Sequence, residues 1–210
     1  MIKIAILVSG RGTNMESIIK NTQNGYINGR VVLVISDIED APALEKARKL
    51  GVEAEFIHPG KGKYTLMGEG EERYIDILKK KNIDLICLAG FMRILKTKFL
   101  KAFKGKIMNI HPSLLPSFKG LNAQKQALEY GVKFSGCTVH FVDESVDGGP
   151  IILQAVVPIF QDDDVDILSK RILKEEHRIY SEAIKLFSEG ALTINGRKVN
   201  IKQGGSFGKH

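Results

Sequence analysis

Through its first half the chain alternates short apolar runs with stretches of helical period. Runs of consecutive apolar, often β-branched residues bounded by turn formers predict strands near 2–8, 31–36, 53–57, 84–89 and 106–110. Between them apolar residues return at steps of three and four, which predicts helices near 14–23, 41–50, 70–81, 95–103 and 123–130. Strands that alternate with helices in this way are joined by crossovers and form a parallel sheet. Ser135–Val142 and Ile151–Pro158 read as two further strands joined across a turn at Asp147, extending the sheet in a mixed sense. The fold class expected is α/β, a doubly wound, mostly parallel sheet with mixed C-terminal strands.

After the acidic run Asp162–Asp164, whose charge suits a helix N-terminus, a long amphipathic helix carries the apolar stripe Val165, Leu168, Ile172, Ile179, Ala183, Leu186. Glu176 falls in the middle of that stripe. A carboxylate there is either rolled to the rim, paired with a buried partner, or in contact with a ligand, because burying it alone is costly. Thr193–Val199 reads as a small hairpin with an Asn195-Gly196 turn, and Gly204–His210 as a frayed tail. The four glycines between His58 and Gly70 (Gly60, Gly62, Gly68 and Gly70) predict a mobile loop.

A length of 210 residues suits one domain, 1–210, built from two halves (1–100 and 101–190) with the hairpin and tail at 191–210. Apolar runs such as Ile4–Val8 and Ile151–Leu153 are too short to span a bilayer, and Met1-Ile2-Lys3 leads straight into a strand, so a cytoplasmic protein with no membrane partner is expected. The net charge of +7 invites a nucleic-acid partner. Much of it, however, sits in runs such as Lys79-Lys80-Lys81 at an expected helix end, and aromatic interleaving is lacking. Small anionic substrates suit the same field, and no nucleic acid is expected. Cys87 and Cys137 are the only cysteines. The count allows one disulfide; two buried thiols suit an intracellular protein of this size better. No Cys–His spacing resembles a zinc site, so no metal is expected.

Two segments carry the chemistry. In Asn109-Ile110-His111-Pro112-Ser113-Leu114-Leu115-Pro116, alternation puts Asn109 and His111 on one face of a strand, and Pro112 holds His111 extended. In Asp147-Gly148-Gly149-Pro150, a tight turn can bring a carboxylate to that ring. An amide donor, a titratable ring and an orienting acid are the parts needed to stabilise an oxyanion and move a proton. For His111 and Asp147 alone, a strand-end histidine capped by a turn is the competing reading. A third segment, Ser9-Gly10-Arg11-Gly12-Thr13-Asn14, lies between the first strand and the first helix, where backbone amides can cradle a phosphate. It has Met15 where the dinucleotide fingerprint has its third glycine and no Lys at the helix start, which points to one terminal phosphate. Asp37, at the end of the second strand, would be the ribose-binding acid if the chain were a dehydrogenase.

Taken with Leu88–Leu95 and Glu176-His177, these motifs in this order resemble the folate-dependent formyltransferases, from Ile2 to about Phe187. The resemblance implies a formyltransferase (Rossmann-like) fold and transfer of a formyl group from the co-substrate 10-formyltetrahydrofolate to the amine of glycinamide ribonucleotide, in purine biosynthesis. It implies a catalytic triad of Asn109, His111 and Asp147. It gives the nucleotide phosphate to Gly12, Thr13 and Asn14 and the ribose hydroxyls to Glu176. The pterin would lie between Met92, Arg93, Ile94 and Leu95 on one side and Asn109, Val142, Asp143 and Glu144 on the other, in a monomer or weak homodimer. The chain departs from the family pattern at Met67, where an Arg pairs with the folate glutamate, and at Pro116–Asn122, which lacks a Pro-Gly pair and the His after Leu121. Within the superfamily the rivals are a methionyl-tRNA formyltransferase, which carries a further C-terminal domain, and a deformylating hydrolase, which carries an N-terminal one. A noncatalytic nucleotide-binding protein would need only the glycine loop.

Overall fold

The computed structural model describes residues 1–202, so the tail expected at Gly204–His210 lies outside the described residues. In the first strand, β1 (Ile2–Val8), Ile4, Ile6 and Val8 join one hydrophobic cluster while Ala5 and Leu7 join another. A strand buried on both faces needs helices on both, and the chain supplies them. The helices α1 (Thr13–Gln23), α2 (Pro42–Lys49), α5 (Ala123–Tyr130) and α6 (Val165–Ser188) place Met15, Ile18, Ala43, Ala47, Ala127, Leu168, Ile172, Ile179 and Ala183 in or beside the first cluster. The helices α3 (Gly68–Lys80) and α4 (Thr97–Ala102) place Tyr74, Ile75, Leu78, Phe99 and Leu100 in the second. Each such large apolar side chain taken from water contributes about 1.5–3 kcal/mol.

The remaining strands are β2 (Gly29–Ser36), β3 (Ala54–Phe56), β4 (Leu85–Leu88), β5 (Ile107–His111), β6 (Phe134–Phe141), β7 (Ile151–Pro158), β8 (Leu192–Asn195) and β9 (Lys198–Ile201). Among the described residues they form one sheet in the order β3-β2-β1-β4-β5-β6-β7-β9-β8. The first five run parallel, and β5–β6 and β6–β7 are antiparallel, as the mixed C-terminal half predicts. The chain winds outward from β1 to β3 and then returns to the other side of β1 with β4. Open α/β sheets bind ligands at such a reversal, beyond the carboxyl ends of the strands. The Ser9–Asn14 loop, Gly90–Leu95 and His111 all follow strands at that end.

Element boundaries follow local chemistry. Pro42 opens α2, and the Asp164 side chain caps α6 by accepting from the Ile167 amide at 2.7 Å. Three of the four glycines of the 58–70 segment, Gly60, Gly62 and Gly70, answer to close packing, while Gly68 has open space and a φ of +61°. A Cβ on Gly60 would stand 2.1 Å from the Met67 carbonyl oxygen, and one on Gly70 2.4 Å from the Pro59 carbonyl carbon. Gly68 and Gly70 belong to α3 itself. Cys87 and Cys137 are both free thiols in buried strands, and burial pushes the Cys87 thiol up to about 12. No described helix is long and apolar enough to cross a membrane.

Candidate active site

Asn109 and His111 lie two residues apart on β5 and turn to the same side, where β6 and the 142–150 turn close the cleft. Asp147 stands in that turn with φ +47°. Its Oδ2 lies 3.3 Å from His111 Nδ1 and accepts from the Gly120 amide at 2.9 Å, while Oδ1 accepts from Asn109 Nδ2 at 3.4 Å. The three residues expected to form a triad are thus brought together. The second ring nitrogen of His111, Nε2, donates to the Phe118 carbonyl at 2.9 Å. Both nitrogens of the ring face oxygen acceptors.

A fourth side chain completes the group, and sequence reasoning missed it. His140 on β6 is the direct cross-strand partner of Asn109. Its Nδ1 donates to the Phe141 carbonyl at 2.9 Å, so Nε2 is left to accept from Asn109 Nδ2 at 3.2 Å. Burial pushes the His140 pKa down, which keeps the ring neutral and in that accepting role. Of the two Asn109 amide hydrogens, the one on His140 is the better held; the other, on the long contact to Asp147, is free to turn to a substrate oxygen. Thr138, the cross-strand partner of His111, accepts from the Leu115 amide at 3.1 Å and donates to the Ser113 carbonyl at 2.7 Å. The loop after His111 is thereby fastened to β6. The signal that could have found both residues is the alternation Thr138–His140 on a strand antiparallel to Asn109–His111.

Across the same end of the sheet, Gly12 caps α1 with φ +70°, and a Cβ there would stand 2.7 Å from the Ala43 Cβ. Thr13 and Asn14 open the helix, whose free amides and dipole favour an anion. Lys46 reaches the Arg11 carbonyl at 3.0 Å and adds a cation beside the loop. Asn14 is buried, donates from Nδ2 to Glu176 Oε2 at 2.8 Å, and keeps its Oδ1 buried without a partner. Glu176 thus has a buried partner and is not rolled to the rim. Tyr180, one turn further along α6, anchors the helix under the sheet, its hydroxyl 3.1 and 2.9 Å from the Leu88 and Met108 carbonyls.

Burial raises the Glu176 pKa above its ordinary 4.5, against the lowering effect of the Asn14 hydrogen bond. An acid whose folded pKa is raised binds more protons folded than unfolded, so stability falls as pH rises from about 4.5 through the folded value. Glu176→Gln removes that cost, and the new amide can donate to Asn14 Oδ1. The expected result is a higher Tm than wild type near pH 7, with the difference shrinking towards pH 4.5. At the same time Glu176→Ala should raise the KM for a nucleotide substrate more than that for a folate. Thermal unfolding across pH and steady-state kinetics check the two; a lower Tm of the Gln variant near pH 7 would contradict the buried-acid account.

The residues expected around a pterin divide. Met92 and Ile94 are exposed beside β4 and free to pack on a ligand, whereas Leu95 is buried in the second cluster and leaves only its backbone to the cleft. Arg93 turns away. Its Nε donates to Asp37 Oδ2 at 2.6 Å and Nη1 to the Gly62 carbonyl at 3.1 Å, tying the 58–70 segment to the sheet. Asp37, the ribose-binding acid of the dehydrogenase alternative, is thereby committed: Ser9 Oγ donates to its other oxygen at 2.5 Å, and its side chain is 1% exposed. Ser9 in turn accepts from the Met92 amide at 2.8 Å, so one buried ion pair sets both loops. On the far wall Val142 packs against the second cluster, Asp143 caps Ser145, and Glu144 accepts from Thr97 at 3.3 Å. Among the described residues no group of three or more His, Cys, Asp or Glu could hold a metal ion.

A doubly wound α/β sheet with an Asn–His–Asp group and a free helix start at its carboxyl end has the layout of an enzyme for small molecules, and the comparisons give its class. Residues 2–184 match the formyl transferase family, and the chain belongs to it. It is 44% identical over 195 residues to phosphoribosylglycinamide formyltransferase of Haemophilus influenzae, covering 92% of this chain and 91% of that one. It is 45% identical over 194 residues to the trifunctional purine biosynthetic protein adenosine-3 of Gallus gallus, covering 92% of this chain. The chain spans only 19% of the length of that trifunctional protein. Among solved structures it resembles glycinamide ribonucleotide transformylase 1 of Symbiobacterium toebii, with a TM-score of 0.91, 52% identity, and 96% and 94% of the two chains covered.

Proposed function

We propose that the chain acts as a single formyltransferase domain that moves the formyl group of 10-formyltetrahydrofolate to the amine of glycinamide ribonucleotide, in the cytoplasm, as a monomer or weak homodimer. The observation that carries this reading is the convergence of Asn109, His111 and Asp147 at the same sheet end as the Gly12–Asn14 helix start and Glu176. The phosphate would sit on the α1 amides, and the ribose hydroxyls would meet Glu176 and the unpartnered Asn14 Oδ1. The amine attacks the formyl carbon and its oxygen becomes an oxyanion. The Asn109 hydrogen held loosely by Asp147 turns to that oxygen, and the His111 Nε2 hydrogen bonds to it in place of the Phe118 carbonyl. Asp147 fixes the ring through Nδ1. As the carbon–nitrogen bond to the folate breaks, the proton lost by the amine reaches the departing nitrogen through His111 or a water.

Initial rates with each substrate omitted in turn test the reading: product should form only when nucleotide and folate are both present. The folate tail gives a second check. Met67 is 45% exposed and uncharged, and Lys61 and Lys63 are exposed, with Lys63 over the Tyr64 ring. Exposed cations contribute about 0–1 kcal/mol and are screened by salt. A full folate analogue should therefore outcompete its truncated pteroyl fragment by roughly tenfold or less. A preference on the order of a thousandfold would mean that another cation clamps the glutamate.

A further inference from the structure

The hairpin formed by β8 and β9 lies beyond the residues matched to the family, yet its tip reaches the catalytic turn. Arg197 Nη2 donates to the Gly148 carbonyl at 2.8 Å. Gly148 follows Asp147, whose φ of +47° is left-handed, a region that Asp enters more readily than most residues with a Cβ yet still less readily than negative φ. The tip is fixed there as well, because Lys198, adjacent to Arg197, pairs with Ile151 at the start of β7. On the far side of Gly148 the chain is equally confined. A Cβ on Gly149 would stand 1.8 Å from the Phe141 carbonyl oxygen, and the Phe141 amide donates to the Pro150 carbonyl at 2.9 Å. Asp147 therefore sits between a packed Gly149-Pro150 stem and its own carboxylate contacts, with the peptide in between gripped by a charged donor from another element.

We propose that Arg197 is a positioning residue for Asp147, holding the Gly148 peptide so that the carboxylate stays on His111 Nδ1. Releasing that peptide lets Asp147 relax towards negative φ and swings its carboxylate off the ring. The kinetic consequence rests on the formyl-transfer reading above; the structural consequence does not. Arg197→Ala should lower kcat about tenfold to a hundredfold, the cost of misplacing a catalytic group by about an ångström, while each KM stays within about twofold. Arg197→Lys, which keeps a charged donor on a long side chain, should recover most of the loss. In histidine-labelled protein the ¹⁵N signals of the His111 ring should move in Arg197→Ala and return in Arg197→Lys, with those of the His177 ring unchanged. Normal turnover in Arg197→Ala, or His111 ring signals identical to wild type, would overturn the proposal. So would an equal loss in the Lys variant accompanied by a fall in Tm, which would make the hairpin a fold-stabilising element only. If wild type transferred no formyl group while the His111 signals still moved, the functional reading would fall and the positioning role would stand.

Discussion

His111→Ala should lower turnover by about a hundredfold or more, the range expected when a positioned acid–base group is removed. The ring links Asp147 Oδ2 on one side to the Phe118 carbonyl on the other, where the substrate oxygen would be met on the proposed reading. Alanine leaves Asp147 with the Gly120 amide and Asn109, so the turn survives while the path for a proton does not. Folate binding should be largely intact, because on the proposed reading the pterin would pack against Met92, Ile94 and the 142–144 segment, none of which the substitution touches. Near-normal turnover would make His111 a strand-end residue held by a turn, the competing reading of its sequence.

Asn109→Ala should cost about 10²–10³-fold in kcat, the loss seen when one oxyanion donor is taken from a preorganised site. It carries a structural cost as well. Without the amide, His140 Nε2 is a buried acceptor with no donor and Asp147 Oδ1 loses a contact, which is worth about 1–3 kcal/mol of stability. The His111 variant should lose stability too, since it leaves the Phe118 carbonyl without its donor and takes a buried ring from beside Asp147. Kinetics and thermal unfolding run side by side separate lost turnover from lost stability, and the double variant should fall short of the product of the single losses, since both residues act on one oxygen. Full additivity would mean that they serve different steps.

The sheet and helices were legible because they repeat at short range. Strand β1 carries its two clusters in alternate positions, and α6 shows its buried stripe and the odd acid Glu176 at a glance. The shared strand face of Asn109 and His111 and the Gly-Gly-Pro turn beside Asp147 were legible locally, but a strand-end histidine capped by a turn fits the same residues, and it was the resemblance to the formyltransferases that made them a triad. What stayed hidden depends on pairings far apart in the chain. His140 and Thr138 matter only through the β5–β6 register, which no local pattern states. Arg93 reads as a loop cation beside a ligand pocket until Asp37, 56 residues away, claims it. The glycines of 58–70 read as freedom because sequence cannot distinguish a missing Cβ that permits motion from one that permits contact. The reach of Arg197 to Gly148 is of the same kind, a long-range contact from an element with its own local logic.

On the proposed reading one carbon passes directly between two bound substrates. Carbon-labelled formyl folate, incubated with the protein with and without glycinamide ribonucleotide, follows that carbon directly. Label should appear in the formylated nucleotide, matched by tetrahydrofolate released, with no turnover when the nucleotide is left out. Label appearing as free formate at a rate indifferent to the nucleotide would contradict that reading, and would make this site one that hands the formyl group to water.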